Sequence, residues 1–142
     1  AAAHHQLNNH SESDDYFEKA LQINGNNPTA LNNYAYYLSL RKENLDKALA
    51  LTQKSNELSP DNPVFLDTWA WVLYQKGAYT QALQKMEKVM ALLPIPDGEV
   101  LEHYGDILKA NGLKAEALKQ YQKALESGLA SESLKAKIKA LQ

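Results

Sequence analysis

The chain contains no cysteine. That excludes disulfides, thiolate nucleophiles and cysteine metal sites, and it fits a cytoplasm and a disulfide-poor periplasm equally well, so the compartment stays open. Net charge is nearly absent too, with 15 Lys plus Arg against 17 Asp plus Glu and a pI near 6.1. Such a chain has no basic field to draw polyanions by counterion release, and nucleic acid is not expected as a partner. No stretch approaches the roughly 20 consecutive apolar residues that cross a bilayer. The N-terminus also lacks a basic region followed by an apolar run, so direct membrane insertion is not expected. At 142 residues the chain is long enough for one domain or one short solenoid. Glycine and proline are scarce, at 6 and 5 residues, which makes their positions informative.

Three segments share a large residue, an aromatic three on, a small residue next and Leu three further. They are Leu31-Tyr34-Ala35-Leu38, Leu66-Trp69-Ala70-Leu73 and Leu101-Tyr104-Gly105-Leu108, each 35 residues after the one before. Downstream of each lies a second stripe at i, i+4 and i+7: Ala48-Thr52-Ser55, Ala82-Met86-Val89 and Ala117-Tyr121-Ala124. This is helical spacing, not strand alternation. Breakers separate the stripes: Asn27-Pro28, Pro60 with Asn62-Pro63, Gly77, Pro94 with Pro96-Asp97-Gly98, Gly112 and Gly128. Asn before Pro puts a capping side chain ahead of a residue suited to the first helical turn. The unit is therefore helix, turn, helix, with a period of 34 to 35 residues.

Two antiparallel helices cannot bury both apolar stripes alone, so each hairpin must pack on the next. Ala35, Ala70 and Gly105 let backbones approach, and Ala48, Ala82 and Ala117 do the same on the second helices. These residues resemble the tetratricopeptide repeat, with its Trp/Leu, Leu, Gly/Ala, Tyr signature, a small Ala in the middle of the second helix and a closing Pro. The resemblance covers nearly the whole chain. It implies an all-α fold, a right-handed α-solenoid of stacked antiparallel helical hairpins with about eight or nine helices and a C-terminal capping helix. A single domain over 1–142 divides into a partial repeat (1–27), repeats over 28–62, 63–97 and 98–130, and the capping helix (131–142).

Some positions depart from the pattern. Gly25 stands where the closing Pro is usual, Thr52 and Ser55 are polar where apolar residues are expected, and one-residue insertions fall near Arg41 to Asn44 and near Pro96. Ser13, Phe17 and Ala20 occupy the second-helix stripe, so Ala1 to Leu7 should be the tail of a first helix in a fragment of a longer protein. Leu134, Ile138 and Leu141 form the inner stripe of the last helix, and Lys135, Lys137 and Lys139 are expected on a solvated outer face.

Chemistry is thinly represented. His4, His5 and His10 do not form HExxH or another zinc pattern and read as surface histidines. Glu99 with His103, and Glu102 with Asp106, are i, i+4 pairs that read as a solvated acidic face and not a cation site. There is no Ser/His/Asp order, Gly-rich phosphate loop or dinucleotide fingerprint. Neither an enzyme, a cofactor, a catalytic residue nor a metal site is expected.

In each first helix the residues one, five and eight places after the leading Leu share a face distinct from the packing stripe. They are Asn32, Tyr36 and Ser39; Asp67, Trp71 and Tyr74; Glu102, Asp106 and Lys109. In tetratricopeptide proteins that face lines a concave groove that contacts peptides. The resemblance thus implies a protein-protein interaction or scaffolding module, with Asn32, Asn33, Tyr36, Asp67, Trp71, Tyr74, Glu102 and Asp106 as partner-binding residues. All of Asp67, Trp71, Tyr74, Glu102 and Asp106 are expected to be solvent-accessible.

Relatives that grip a C-terminal carboxylate use several Lys or Arg with Asn, a set that only Asn33 echoes here. A peptide or protein partner that is neutral or basic is therefore favoured over an acidic one. The run from Asn32 through Asp106 looks like the closing repeats of bacterial cell-envelope proteins of this family. Two alternatives are self-association, as a homo-oligomer formed through the open N-terminal hairpin, and accessory repeats of a larger enzyme.

Overall fold

The structure, a computed structural model, describes residues 15–42, 44–129 and 131–142. The expectations for His4, His5, His10, Ser13 and the segment 1–7 lie outside these residues. Every regular element among them is helical. A helical run over 15–23 (α1) precedes α2 (Pro28–Arg41), α3 (Leu45–Leu58), α4 (Pro63–Gln75), α5 (Tyr79–Leu92), α6 (Gly98–Ala110), α7 (Lys114–Glu126) and α8 (Glu132–Leu141).

Local chemistry sets where these helices begin. Asn27, Asn62 and Asp97 are extended N-caps whose side chains accept from Ala30 N, from Val64 and Phe65 N, and from Val100 N, satisfying donors that have no partner in the first turn. Proline opens α2 and α4, where its missing N–H costs nothing.

The hairpin turns end the first helices. After α4, Gly77 at φ 85° lets Ala78 N reach Leu73 O and Gly77 N reach Tyr74 O. This pair of hydrogen bonds is a left-handed C-cap, repeated at Gly112 after α6. After α2 the left-handed positions fall instead on Lys42 (φ 57°) and Asn44 (φ 49°), the place of the expected extra residue.

The helices pair as α2–α3, α4–α5 and α6–α7, with α2, α4 and α6 also neighbours and α8 packed on α7. Both sequence stripes are buried except for Trp69 and Tyr104, which are part-buried against the core. Ala35, Ala48, Ala70, Ala82 and Ala117 are all at 0% exposure, as close approach of backbones requires. The core runs from Tyr34, Leu38 and Val72, through Leu66, Met86, Val89 and Ile107, to Leu108, Tyr121, Leu134 and Ile138. It is continuous because Leu49, Leu83, Met90 and Tyr104 each touch two of its parts. The result is an all-α solenoid.

Candidate functional site

Along α4, residues Val64, Asp67, Trp71 and Tyr74 recur at helical spacing on one face. That face is flanked by α2 and α6, and polar side chains bridge the three helices. The Tyr36 hydroxyl donates to Glu99 Oε1 at 2.7 Å. Burial and this carboxylate both raise the phenol pKa well above its ordinary value.

His103 Nδ1 lies 3.2 and 3.3 Å from the two oxygens of Asp67. Its ring stacks on Trp71 at 4.1 Å between centroids, and Trp71 stacks on Tyr74 at 4.8 Å. Burial alone would lower the His103 pKa, but the hydrogen bond and charge of Asp67, with the charges of Glu99 and Asp106, outweigh it and leave the pKa raised.

Further along, Asp106 accepts from the Tyr121 hydroxyl at 2.6 Å. Lys137 reaches in from α8 to Glu102 at 2.8 Å and to Asp106 at 3.1 Å. Burial would lower the lysine pKa, yet the two carboxylates hold it raised.

Two clefts of about 320 Å³ each open on this face. One, at the N-terminal end of α4, is lined by Asn32, Asn33, Tyr36, Asp67 and Glu99 over an apolar floor that includes Pro63, Val64, Leu93 and Val100. The other, at the C-terminal end, takes in Lys42, Trp71, Tyr74, Asp106, Lys109 and Lys137. In the first cleft Asn32 is 5% exposed and its Oδ1 has no hydrogen-bond partner among the described residues. In the second, Trp71 Nε1 likewise has no hydrogen-bond partner among the described residues.

Seven of the eight residues singled out from the sequence thus line one or other cleft, and Glu102 joins them through Lys137. Their accessibility differs from the expectation. Asp106 is buried at 9% exposure, because Tyr121 and Lys137 close over its carboxylate. Trp71 is part-buried in its stack, and Asn32 is buried where α2 meets its neighbours. The solvated acidic face expected from Glu99, Glu102, His103 and Asp106 is instead a set of bonded pairs. Lys137 was expected outside; it points inward because two carboxylates await its ammonium there.

His103 is the residue the sequence reading missed. It sits two places after the leading Leu101, the position of Asn33 and Thr68 in the other helices. Widening the face by that one position would have found it.

Among the described residues no three His, Cys, Asp or Glu side chains converge as a metal site would need, and no helix is long and apolar enough to cross a membrane.

Residues 65–142, more than half of the chain, match the tetratricopeptide repeat-like domain, and residues 16–50 and 1–27 match tetratricopeptide repeats. A TPR repeat-containing protein of Pseudomonas aeruginosa is 35% identical over 80 residues, which cover 56% of this chain and 13% of that protein. Among solved structures, a tetratricopeptide repeat protein from Parabacteroides merdae superposes with a TM-score of 0.82 at 23% identity, covering 96% of this chain and 52% of the other. Pseudomonas aeruginosa pilF gives 0.78 at 20% identity, covering 99% and 63%. YrrB, a TPR protein with an unusual peptide-binding site, gives 0.72 at 23% identity, covering 88% and 63%. These structural likenesses show the fold alone. The family match shows more: the chain belongs to the tetratricopeptide repeat-like family, whose repeats are in general non-catalytic modules for protein interaction or scaffolding.

Proposed function

We propose that this chain holds an extended peptide, or an extended segment of a partner protein, along the face shared by α2, α4 and α6. The observation that carries this reading is the buried Asn32 carboxamide, which lacks a partner for Oδ1 at a cleft that also holds Asn33 and Tyr36. A buried acceptor left unpaired costs about 1 to 3 kcal/mol, a cost recovered if the side chain turns its Oδ1 toward a peptide N–H in the cleft. The Trp71–His103 stack adds rigid aromatic area in the middle of the face. YrrB, which shares the fold, is a TPR protein with a peptide-binding site. Asp97 and Glu99 at the Asn33 cleft favour a neutral or basic segment there.

Selection of peptides from a random displayed library, followed by titration of the best binder, tests the reading. Asn33→Ala and Trp71→Ala should each weaken the selected peptide, the tryptophan change by roughly 2 kcal/mol or more. A change at exposed Lys119 of α7, outside both clefts, should leave the affinity alone. Equal affinities across all three variants would remove the groove and leave only the general interaction role.

A further inference from the structure

The two clefts carry opposite polar character, and we propose that the face takes an extended peptide of fixed charge polarity, with a basic side chain at the Asn33 cleft and a carboxylate at the Lys109 cleft. This deepens the peptide-binding reading above and rests on it.

The Asn33 cleft presents acceptors. Asp67, Asp97 and Glu99 line it and no Lys, Arg or His does, and the orphan Oδ1 of Asn32 is there too. His103 offsets Asp67 when its ring is protonated, and Asp97 and Glu99 still leave the cleft negative.

The Lys109 cleft presents donors. Lys137 is committed to Glu102 and Asp106, and Asp106 is further covered by Tyr121. Lys42 and Lys109 share the cleft with Asp106, whose carboxylate is taken by Lys137 and Tyr121, and the Trp71 indole N–H lacks an acceptor among the described residues. A ligand carboxylate seated there would meet the ammonium groups of the two lysines.

The distance between the clefts fits a short peptide. Val64 and Gln75 mark their ends on α4, and 11 residues at 1.5 Å rise span about 16 Å. An extended chain crosses that in about five residues.

Helix ends supply a competing cause, since a macrodipole favours acids in a first turn and bases in a last turn, as Glu99 and Lys109 stand in α6. That cause explains the order of the signs. It does not explain why an acceptor is orphaned in one cleft and a donor in the other, a state shared elsewhere by Asn56 Oδ1 and Gln120 Oε1. It also predicts that reversing Lys109 changes stability, whereas the proposal predicts that it changes which peptide binds.

The experiment pans the chain against random dodecapeptides on phage. Enriched peptides should carry one basic and one acidic residue about four to six positions apart, in one constant order. The double variant Lys42→Glu/Lys109→Glu should weaken the consensus peptide by about tenfold or more, and a consensus peptide whose acid is changed to Lys should regain it. Lys109→Gln, which introduces no new charge, is the second variant should the double one melt early. Enriched peptides with one sign of charge, or with irregular spacing, and an unmoved double variant would overturn the polarity while leaving the groove intact, provided Asn33→Ala still weakens them. Failure to enrich any peptide sensitive to Asn33→Ala would overturn the groove and this inference together.

Discussion

In the α2–α3 hairpin the close-approach position is Ala35, and the second helix brings in Ala48, Thr52 and Ser55. In the α6–α7 hairpin the same positions hold Gly105, Ala117, Tyr121 and Ala124. Volume is traded across the interface. A Cβ added to Gly105 would lie 2.4 Å from Tyr121 Cε1, so the glycine and the tyrosine belong together. Where the second helix has only Thr and Ser, alanine fits opposite.

The smaller hairpin also solves a problem that the larger one does not have. Its buried Ser55 hydroxyl and Asn56 amide N–H need acceptors, and nearby carbonyls supply them, while Asn56 Oδ1 has no partner among the described residues. Ser55 Oγ donates to Thr52 O at 2.9 Å, and Asn56 Nδ2 donates to Thr52 O at 2.8 Å and to Phe65 O at 3.1 Å. The last of these bonds ties α3 to the hairpin that follows. Tyr121 instead sends its hydroxyl to Asp106, which also receives Lys137 from α8. One hairpin is held by polar bonds to nearby backbone carbonyls, the other by a large buried ring.

Truncation tests this contrast most strongly. Tyr121→Ala should cost about 3 to 5 kcal/mol, the range for deleting a buried aromatic. Thr52→Ala removes far less volume and should cost about 1 kcal/mol. Denaturant midpoints compare the two, and similar losses would mean that ring volume is not what holds the last hairpin.

A smaller effect is expected from Gly105→Ala. Alanine would relieve a glycine penalty of about 1 kcal/mol in a helix interior. Here the clash with a ring at 1% exposure cannot be relieved by moving into solvent. A net loss of roughly 1 to 3 kcal/mol should result. Gly105→Ala combined with Tyr121→Leu should cost less than the sum of the two changes, because the smaller partner makes room for the methyl. A gain in stability from Gly105→Ala alone would break the idea of traded volume.

Much of this architecture was legible because packing leaves a periodic trace. Leu31, Leu66 and Leu101 recur at one spacing, and the Asn and Asp caps announce where each first helix starts. The site was legible only in part, for a physical reason. Position on a helix face can be read from spacing, but a side chain's partner on another helix depends on how far the neighbours are offset. Asp67 therefore reads as a free carboxylate until the structure places His103 of α6 against it. Lys137 reads as solvated because helix spacing sets it among other lysines, and only the docking of α8 reveals Glu102 and Asp106 on the inner side. Polar networks between repeats are set by pairings that periodicity does not encode.

His103 gives the finest distinction between the two hairpins. Its counterpart in α2 is Asn33, exposed and without charge, so at this position the later hairpin meets its predecessor through a titrating pair where the earlier one has an uncharged amide. Burial disfavours the imidazolium, while Asp67 and the more distant Glu99 and Asp106 favour it, and the balance leaves the folded pKa above the ordinary 6.5. A folded pKa above the unfolded one means that the protonated ring stabilises the fold. That contribution is complete below about pH 6.5 and is lost as pH rises through the higher folded value. Because burial and the carboxylates pull in opposite directions, the effect should be the smallest of the three. The melting temperature should therefore decline across the range above neutrality more steeply in the parent than in His103→Gln, which cannot titrate. The His103 ring proton resonances, followed by NMR, should titrate with a midpoint above 6.5. A midpoint below that value would mean that burial wins over Asp67, and the pair would then join α4 to α6 as a neutral hydrogen bond without pH dependence near neutrality.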